Sequence, residues 1–302
     1  MSVSVKVRVP GTTANCGPGF DAVGIACTIY NDLELTLSTE GSLVIEVEGE
    51  GASLIPTDDK NIVWQVIQKV FEKVGKQYQG IHIKMNNQIP LSRGLGSSAA
   101  AIVAGLFAAN VATGNTLSKD DLLDMATAIE GHPDNVAPAI FGGITTSVVE
   151  GKKARYLRFV PPAKLNMIVA IPDFNLSTHA ARQVLPETVP FKDAVFNISR
   201  TALVIGALCQ GEFQHLRYAL ADKIHQPYRE HLIPGMGQVF DAALEKGALG
   251  VALSGAGPCL IAFAQDRCEE VGFGMVEAFA NNQISAKYLV LDIDTEGARV
   301  ID

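Results

Sequence analysis

Polar and apolar residues alternate through Val3–Val9, Leu33–Leu37 and Leu43–Val47, the two-residue period of strands with one buried face. A turn around Glu40–Gly41 predicts that the last two form a hairpin, giving the chain an antiparallel start. Over Asn61–Val74 the period changes. Ile62, Val63, Val66, Ile67, Val70, Phe71 and Val74 recur at helical spacing, and Ile81–Met85 then alternates as a strand. After a loop over Asn86–Leu95, the run Ser97–Ala112 is apolar almost all round, which predicts a buried helix. Ser118–Glu130 predicts another, with Ser118 as N-cap, Asp121 near the positive end of the dipole, and Gly131, His132 and Pro133 as its stop. Gly143–Val149 reads as a strand closing this half.

The second half reads as a strand at Leu165–Ile171 and helices at Thr178–Leu185, Lys192–Cys209, Phe213–Ala221 and Gly235–Lys246. Strands at Gly250–Leu253 and Cys259–Ala264, a helix at Cys268–Asn281 and a strand at Lys287–Ile293 complete it. Strands and helices alternate in both halves, so the fold class is α+β. Charged, turn-like Glu150–Lys153 marks a division into two domains, residues 1–152 and 153–302.

Composition narrows the function. A chain of 302 residues that is 48% hydrophobic suffices for two cores. A net charge of −8 with no basic segment argues against nucleic acid as a partner. Five scattered cysteines without paired spacing suggest neither disulfides nor zinc and fit a reducing, cytoplasmic setting. The N-terminus alternates like a strand rather than a signal peptide, and the longest apolar stretch, Ala99–Val111, is too short to span a bilayer, so no membrane association is expected.

The segment Pro90-Leu91-Ser92-Arg93-Gly94-Leu95-Gly96-Ser97-Ser98-Ala99-Ala100 leads from a strand through two glycines into a helix. Glycines let backbone approach an oxyanion, and the free amides and dipole of a first helical turn favour negative charge there. Serine hydroxyls can donate to phosphate or ligate Mg2+. The segment has neither the Walker lysine pattern nor GxGxxG. A tight turn with serines capping the helix accounts for it equally well. Two other glycine-rich segments accompany it. Pro10–Gly24 exposes Asn15 and Asp21 on an irregular backbone, or forms an Asx-type turn with a capping aspartate. Leu253-Ser254-Gly255-Ala256-Gly257-Pro258 joins two apolar strands, either as a hairpin connection or as a place of close approach to a ligand.

Together, in this order and across nearly the whole chain, these segments resemble the motifs of the galactokinase, homoserine kinase, mevalonate kinase and phosphomevalonate kinase (GHMP kinase) superfamily. The stretch Pro90–Ala100 is the most specific of them. Pro10–Gly24, Glu130–Gly143 and Leu253–Pro258 look most like the homoserine kinase branch. The resemblance implies an N-terminal domain like the second domain of ribosomal protein S5, a ferredoxin-like C-terminal domain, and an active site in the cleft between them. It also implies ATP and Mg2+, L-homoserine as acceptor on the route to threonine, and a homodimer.

By the same resemblance Gly94 to Ser98 cradle the phosphates, Ser98 and Glu130 ligate Mg2+, and Asn61 matches the place where relatives hold adenine, though an N-cap role explains it as well. A zwitterionic substrate asks for an acid and arginines. Asn15 and Asp21 match the amine side; Thr178, Arg182 and Arg229 match the carboxylate side; His132, Asp134 and Asn135 match residues near the hydroxyl; and Gly255 and Gly257 belong to the substrate loop. Some superfamily members carry an aspartate base where this chain has Asn135, so catalysis by alignment with no strong base is expected, with Asp21 or Asp134 as possible proton relays. A sister kinase acting on mevalonate or shikimate, and a catalytically silent nucleotide sensor, are the alternative readings.

Overall fold

The computed structural model describes residues 2–302. The first part of the chain runs β1 (Val3–Ala14), β2 (Val23–Ser38), β3 (Leu43–Gly49), α1 (Ile62–Val74), β4 (Gly80–Asn87), α2 (Ser97–Ala112), α3 (Lys119–Glu130), α4 (Pro133–Phe141), β5 (Ile144–Glu150) and β6 (Lys153–Phe159). The second runs β7 (Asn166–Pro172), α5 (Thr178–Gln183), α6 (Phe191–Gln210), α7 (Leu216–Ala219), α8 (Gln226–Arg229), α9 (Met236–Glu245), β8 (Gly250–Leu253), β9 (Leu260–Ala264), α10 (Cys268–Asn281), β10 (Ala286–Leu291) and β11 (Arg299–Ile301).

The expected hairpin between Leu33–Leu37 and Leu43–Val47 does not form. β4 lies between them, antiparallel to β2 and parallel to β3, with Leu43 opposite Ile81. A parallel pair needs a crossover, and α1 supplies it, burying Val63, Val66, Ile67 and Val70. β2 begins ten residues before the alternation does. Its first residues, Val23 to Cys27, are buried on both faces and carry no period to read. Pro133, which the sequence presents as a stop, opens α4 instead; at the first helical position its missing N–H costs nothing.

The division expected at 152/153 falls in the turn of a hairpin. β5 pairs with β6 from Ile144–Phe159 to Glu150–Lys153, and both belong to the seven-stranded first sheet, as does β11 from the far end of the chain. The second sheet is antiparallel in the order β10-β7-β9-β8. Alternate residues of β7 serve different cores. Met167, Val169 and Ile171 join the large core shared with the first sheet, while Ile168 and Ala170 face Val239, Ala243, Val271, Met275 and Phe279 of α9 and α10. Burial on both faces explains the unbroken apolar run of Leu165–Ile171. The sheets thus pack so that the start of α2, the β8–β9 turn, the β1–β2 connection, α5 and α8 border one cleft.

Candidate active site

Between β4 and α2 the backbone takes left-handed conformations at Ser92 (φ 54°), Gly94 (79°) and Gly96 (68°). Both glycines are also required by crowding. A Cβ on Gly94 would sit 2.1 Å from the Ser254 carbonyl oxygen, and one on Gly96 would sit 2.0 Å from Thr12 Oγ1. Hydrogen bonds lace the three glycine segments together. Thr12 N donates to Leu95 O at 3.0 Å, Gly255 N to Ala14 O at 3.1 Å and Cys259 N to Arg93 O at 3.2 Å. Asn15 Nδ2 donates to Gly255 O at 2.8 Å, and buried Ser254 Oγ lies 2.6 Å from Gly94 O. A turn and a close approach therefore coexist here.

The first turn of α2 has no side-chain cap, unlike α1, capped by Asn61, and α3, closed by a Ser118–Asp121 capping box. Ser97 and Ser98 instead line the cleft, an open space of about 710 Å3. Uncapped amides, the dipole of a 16-residue helix and two hydroxyls make this end suited to an anion.

Beside it, Ser98 Oγ donates to Glu130 Oε2 at 3.0 Å. Burial raises the Glu130 pKa above the usual carboxylate range, and the Ser98 bond opposes this. A hydroxyl and a carboxylate are hard oxygen donors, and their spacing matches the ~2.9 Å between adjacent ligands of an octahedral ion at 2.0–2.1 Å. These residues fit Mg2+.

Further along, His132 Nδ1 is 2.9 Å from Asp134 Oδ1, and this bond raises the His132 pKa. The imidazole Nε2 has no protein partner among the described residues. Thr12 Oγ1 donates to Asn135 Oδ1 at 2.8 Å, and Asn135 Nδ2 to Asp134 Oδ1 at 3.3 Å. Across the cleft Arg182 grips Asp21 with two bonds, 2.7 and 3.2 Å. Asp21 is held in a left-handed conformation (φ 58°), its amide donating to Asn15 Oδ1 at 3.0 Å.

Arg229 is 1% exposed. Its Nε donates to Ala181 O at 2.9 Å and its Nη1 to Gly255 O at 3.3 Å, and no carboxylate pairs with it among the described residues. Burial first, and then the neighbouring Arg182 charge, lower its pKa to about 10. The phenyl ring of Phe20 lies 5.4 Å from the guanidinium carbons of both Arg182 and Arg229. A buried cation with no carboxylate paired to it, beside an open cleft, is a place for a ligand carboxylate.

Known proteins share this chain's sequence and fold. Residues 61–143 match the GHMP kinase N-terminal domain and residues 204–280 the GHMP kinase C-terminal domain. The chain is 47% identical to the homoserine kinase of Carboxydothermus hydrogenoformans, over 97% of this chain and 96% of that one, and 45% identical to that of Moorella thermoacetica, over 98% and 99%. Its fold superposes on a crystal structure of homoserine kinase from Cytophaga hutchinsonii with a TM-score of 0.91 at 32% identity, covering 99% and 97%.

The chain belongs to the homoserine kinase family of GHMP kinases. Its fold is the two-domain α+β arrangement of that superfamily. In this homoserine kinase family member, Asn15, Asp21, Ser92, Arg93, Gly94, Gly96, Ser97, Ser98, Glu130, His132, Asp134, Asn135, Thr178, Arg182, Arg229 and Gly255 all line one cleft. Seven expected residues do not. Leu95, Ala99 and Ala100 are fully buried core, and Pro90 and Leu91 also stand back from the lining. Gly257 packs towards Ile233, Leu253 and Leu176. Asn61, fully buried, spends its side chain on Val63 N at 2.9 Å and Pro56 O at 2.7 Å as the cap of α1. Arg93 lines the cleft, yet its guanidinium binds the carbonyls of Pro172 and Phe174, tying the glycine loop to the second sheet rather than reaching for phosphate.

Sequence reading missed Thr12, Ser254 and Phe20. Each sits within a glycine segment already singled out; for Thr12 and Ser254 a small hydroxyl residue next to glycine was the available signal, and for Phe20 there was none.

Proposed function

We propose that the chain transfers the γ-phosphoryl group of ATP to the side-chain hydroxyl of L-homoserine, giving ADP and O-phospho-L-homoserine, a step on the route to threonine in the cytoplasm. The observation that carries this is the unpaired, buried Arg229 facing the uncapped start of α2 across one cleft.

Arg229 and Arg182 receive the substrate carboxylate, while Asp21, oriented by Asn15, receives the ammonium. Asp21 and Arg182, now paired to each other, have the charge order of the zwitterion that would lie between them. The α2 amides and the Ser97 and Ser98 hydroxyls hold phosphate oxygens, stabilising charge as it shifts in a loose transition state. Ser98 and Glu130 would hold Mg2+, which when bound neutralises phosphate charge. The Asn135 amide, fixed by Thr12, orients the hydroxyl. Where no strong base was expected, the geometry favours His132. With its Nδ1–H donated to Asp134, the neutral ring leaves Nε2 free to accept the hydroxyl proton as the O–P bond forms and the bond to the ADP leaving oxygen breaks. Mevalonate and shikimate lack an ammonium to answer Asp21.

ADP release measured with L-homoserine, mevalonate, shikimate and L-threonine tests the reading. Turnover specific to homoserine supports it. Turnover of mevalonate or shikimate instead, or ATP binding without ADP release for any of the four, overturns it.

A further inference from the structure

The imidazole of His225, 0% exposed, has no part in the chemistry above, yet it touches both halves of the substrate clamp. It stands at the N-terminal end of α8, where the enclosed carboxylate of Asp222 fixes the chain. That carboxylate accepts from the amides of Ile224, His225 and Gln226 at 3.0, 2.9 and 2.6 Å, and from Asn197 Nδ2 of α6 at 2.6 Å. His225 Nδ1 lies 3.2 Å from Nη1 of Arg229. A guanidinium has only protons to offer, so Nδ1 is an acceptor and Nε2 carries the hydrogen, which it donates to Gly17 O at 2.7 Å. The ring is therefore neutral. Burial favours that state too, with Asp222, Arg229 and Asp21 as the charges around it.

Gly17 belongs to the loop that carries Asn15 and Asp21, and that loop lies against the segment before α8. A Cβ on Gly17 would fall 2.3 Å from the Leu220 carbonyl oxygen. Phe20, from the same loop, stacks on His225 at 5.1 Å. One imidazole thus spans from the amine side of the clamp to its carboxylate side.

We propose that His225, in its neutral Nε2–H form, is a positioning residue that sets the spacing between the Asn15–Asp21 loop and Arg229, and thereby the affinity for homoserine, without contact to ATP. This rests on the activity proposed above. The two contacts can be separated, because an asparagine amide replaces the atom at Nδ1 and a glutamine amide the atom at Nε2. His225→Ala is expected to raise the KM for homoserine by about tenfold or more, the scale of losing a supporting hydrogen bond to a ligand-holding group, with kcat and the KM for ATP within about twofold. His225→Asn and His225→Gln are expected to recover part of the loss each, and they keep the test open if the alanine variant does not fold. Unchanged homoserine KM in all folded variants, or equal rises for homoserine and ATP, overturns the positioning role. Wild-type protein that releases no ADP with homoserine overturns the activity itself, a different result.

Discussion

Replacing Arg229 by methionine separates stability from substrate binding. The guanidinium is 1% exposed and burial lowers its pKa to about 10, so the fold carries its charge at a cost of about 3 kcal/mol. Its bonds to the Ala181 and Gly255 carbonyls and to His225 Nδ1 each contribute about 1.5 kcal/mol, being charge-assisted, and so together somewhat exceed that cost. Methionine has no charge to desolvate and fills most of the volume. It leaves the Ala181 carbonyl and His225 Nδ1 without their donor, so urea unfolding of Arg229→Met is expected to show a loss of about 2 kcal/mol, less than the loss in substrate binding. The substrate carboxylate loses its fully desolvated partner, worth about 3 kcal/mol, so the KM for homoserine rises more than about a hundredfold while that for ATP does not. The assay is steady-state ADP release with each substrate varied in turn. A variant destabilised by several kcal/mol, or one with unaltered homoserine KM, would refute the account of Arg229 as a cation waiting for a carboxylate.

Glu130→Gln removes the carboxylate beside Ser98, and kcat/KM is expected to fall by on the order of a hundredfold, with partial recovery at raised Mg2+. Because burial raises the Glu130 pKa, its charged form weakens the metal-free fold. Without Mg2+ Glu130 therefore contributes a gain in stability as pH falls through the carboxyl range, a contribution the glutamine variant lacks; the difference between the two in a pH series of urea melts measures it. The Asp134 bond raises the His132 pKa, and His132 must be neutral to take a proton, so activity falls as pH drops through that raised value. Asp134→Asn is expected to move the acid limb of the kcat/KM profile to lower pH; an unmoved limb would exclude His132 as the acceptor.

The glycine-rich segments mark the irregular backbone of the site, whereas Glu130, His132, Thr178, Arg182 and Arg229 stand out only through the resemblance to GHMP kinases. Gly94 and Gly96 had to be small, and the structure adds the reason, the Ser254 carbonyl and the Thr12 hydroxyl against them. The alternative of serines capping α2 was open in the sequence and was decided only by the absence of a side-chain cap there. Asn61 illustrates the converse, a polar residue at a suggestive place whose atoms are spent on the turn it caps. Strand pairing was less readable. Alternation marks β2 and β3 equally well whether they are neighbours or, as here, separated by β4, because period reports burial and not partner. The role of His225 was invisible. It depends on Gly17, some two hundred residues away in sequence, and no local pattern encodes that contact.

The central claim is that this cleft joins the terminal phosphate of ATP to the hydroxyl of L-homoserine. Phosphorus NMR of a reaction containing the protein, ATP, Mg2+ and L-homoserine tests it most directly. The account predicts that the γ-phosphate signal disappears as ADP and a phosphomonoester coupled to the side-chain methylene protons of homoserine appear in equal amounts. Inorganic phosphate with no ester, or an unaltered ATP spectrum from folded protein, would contradict it.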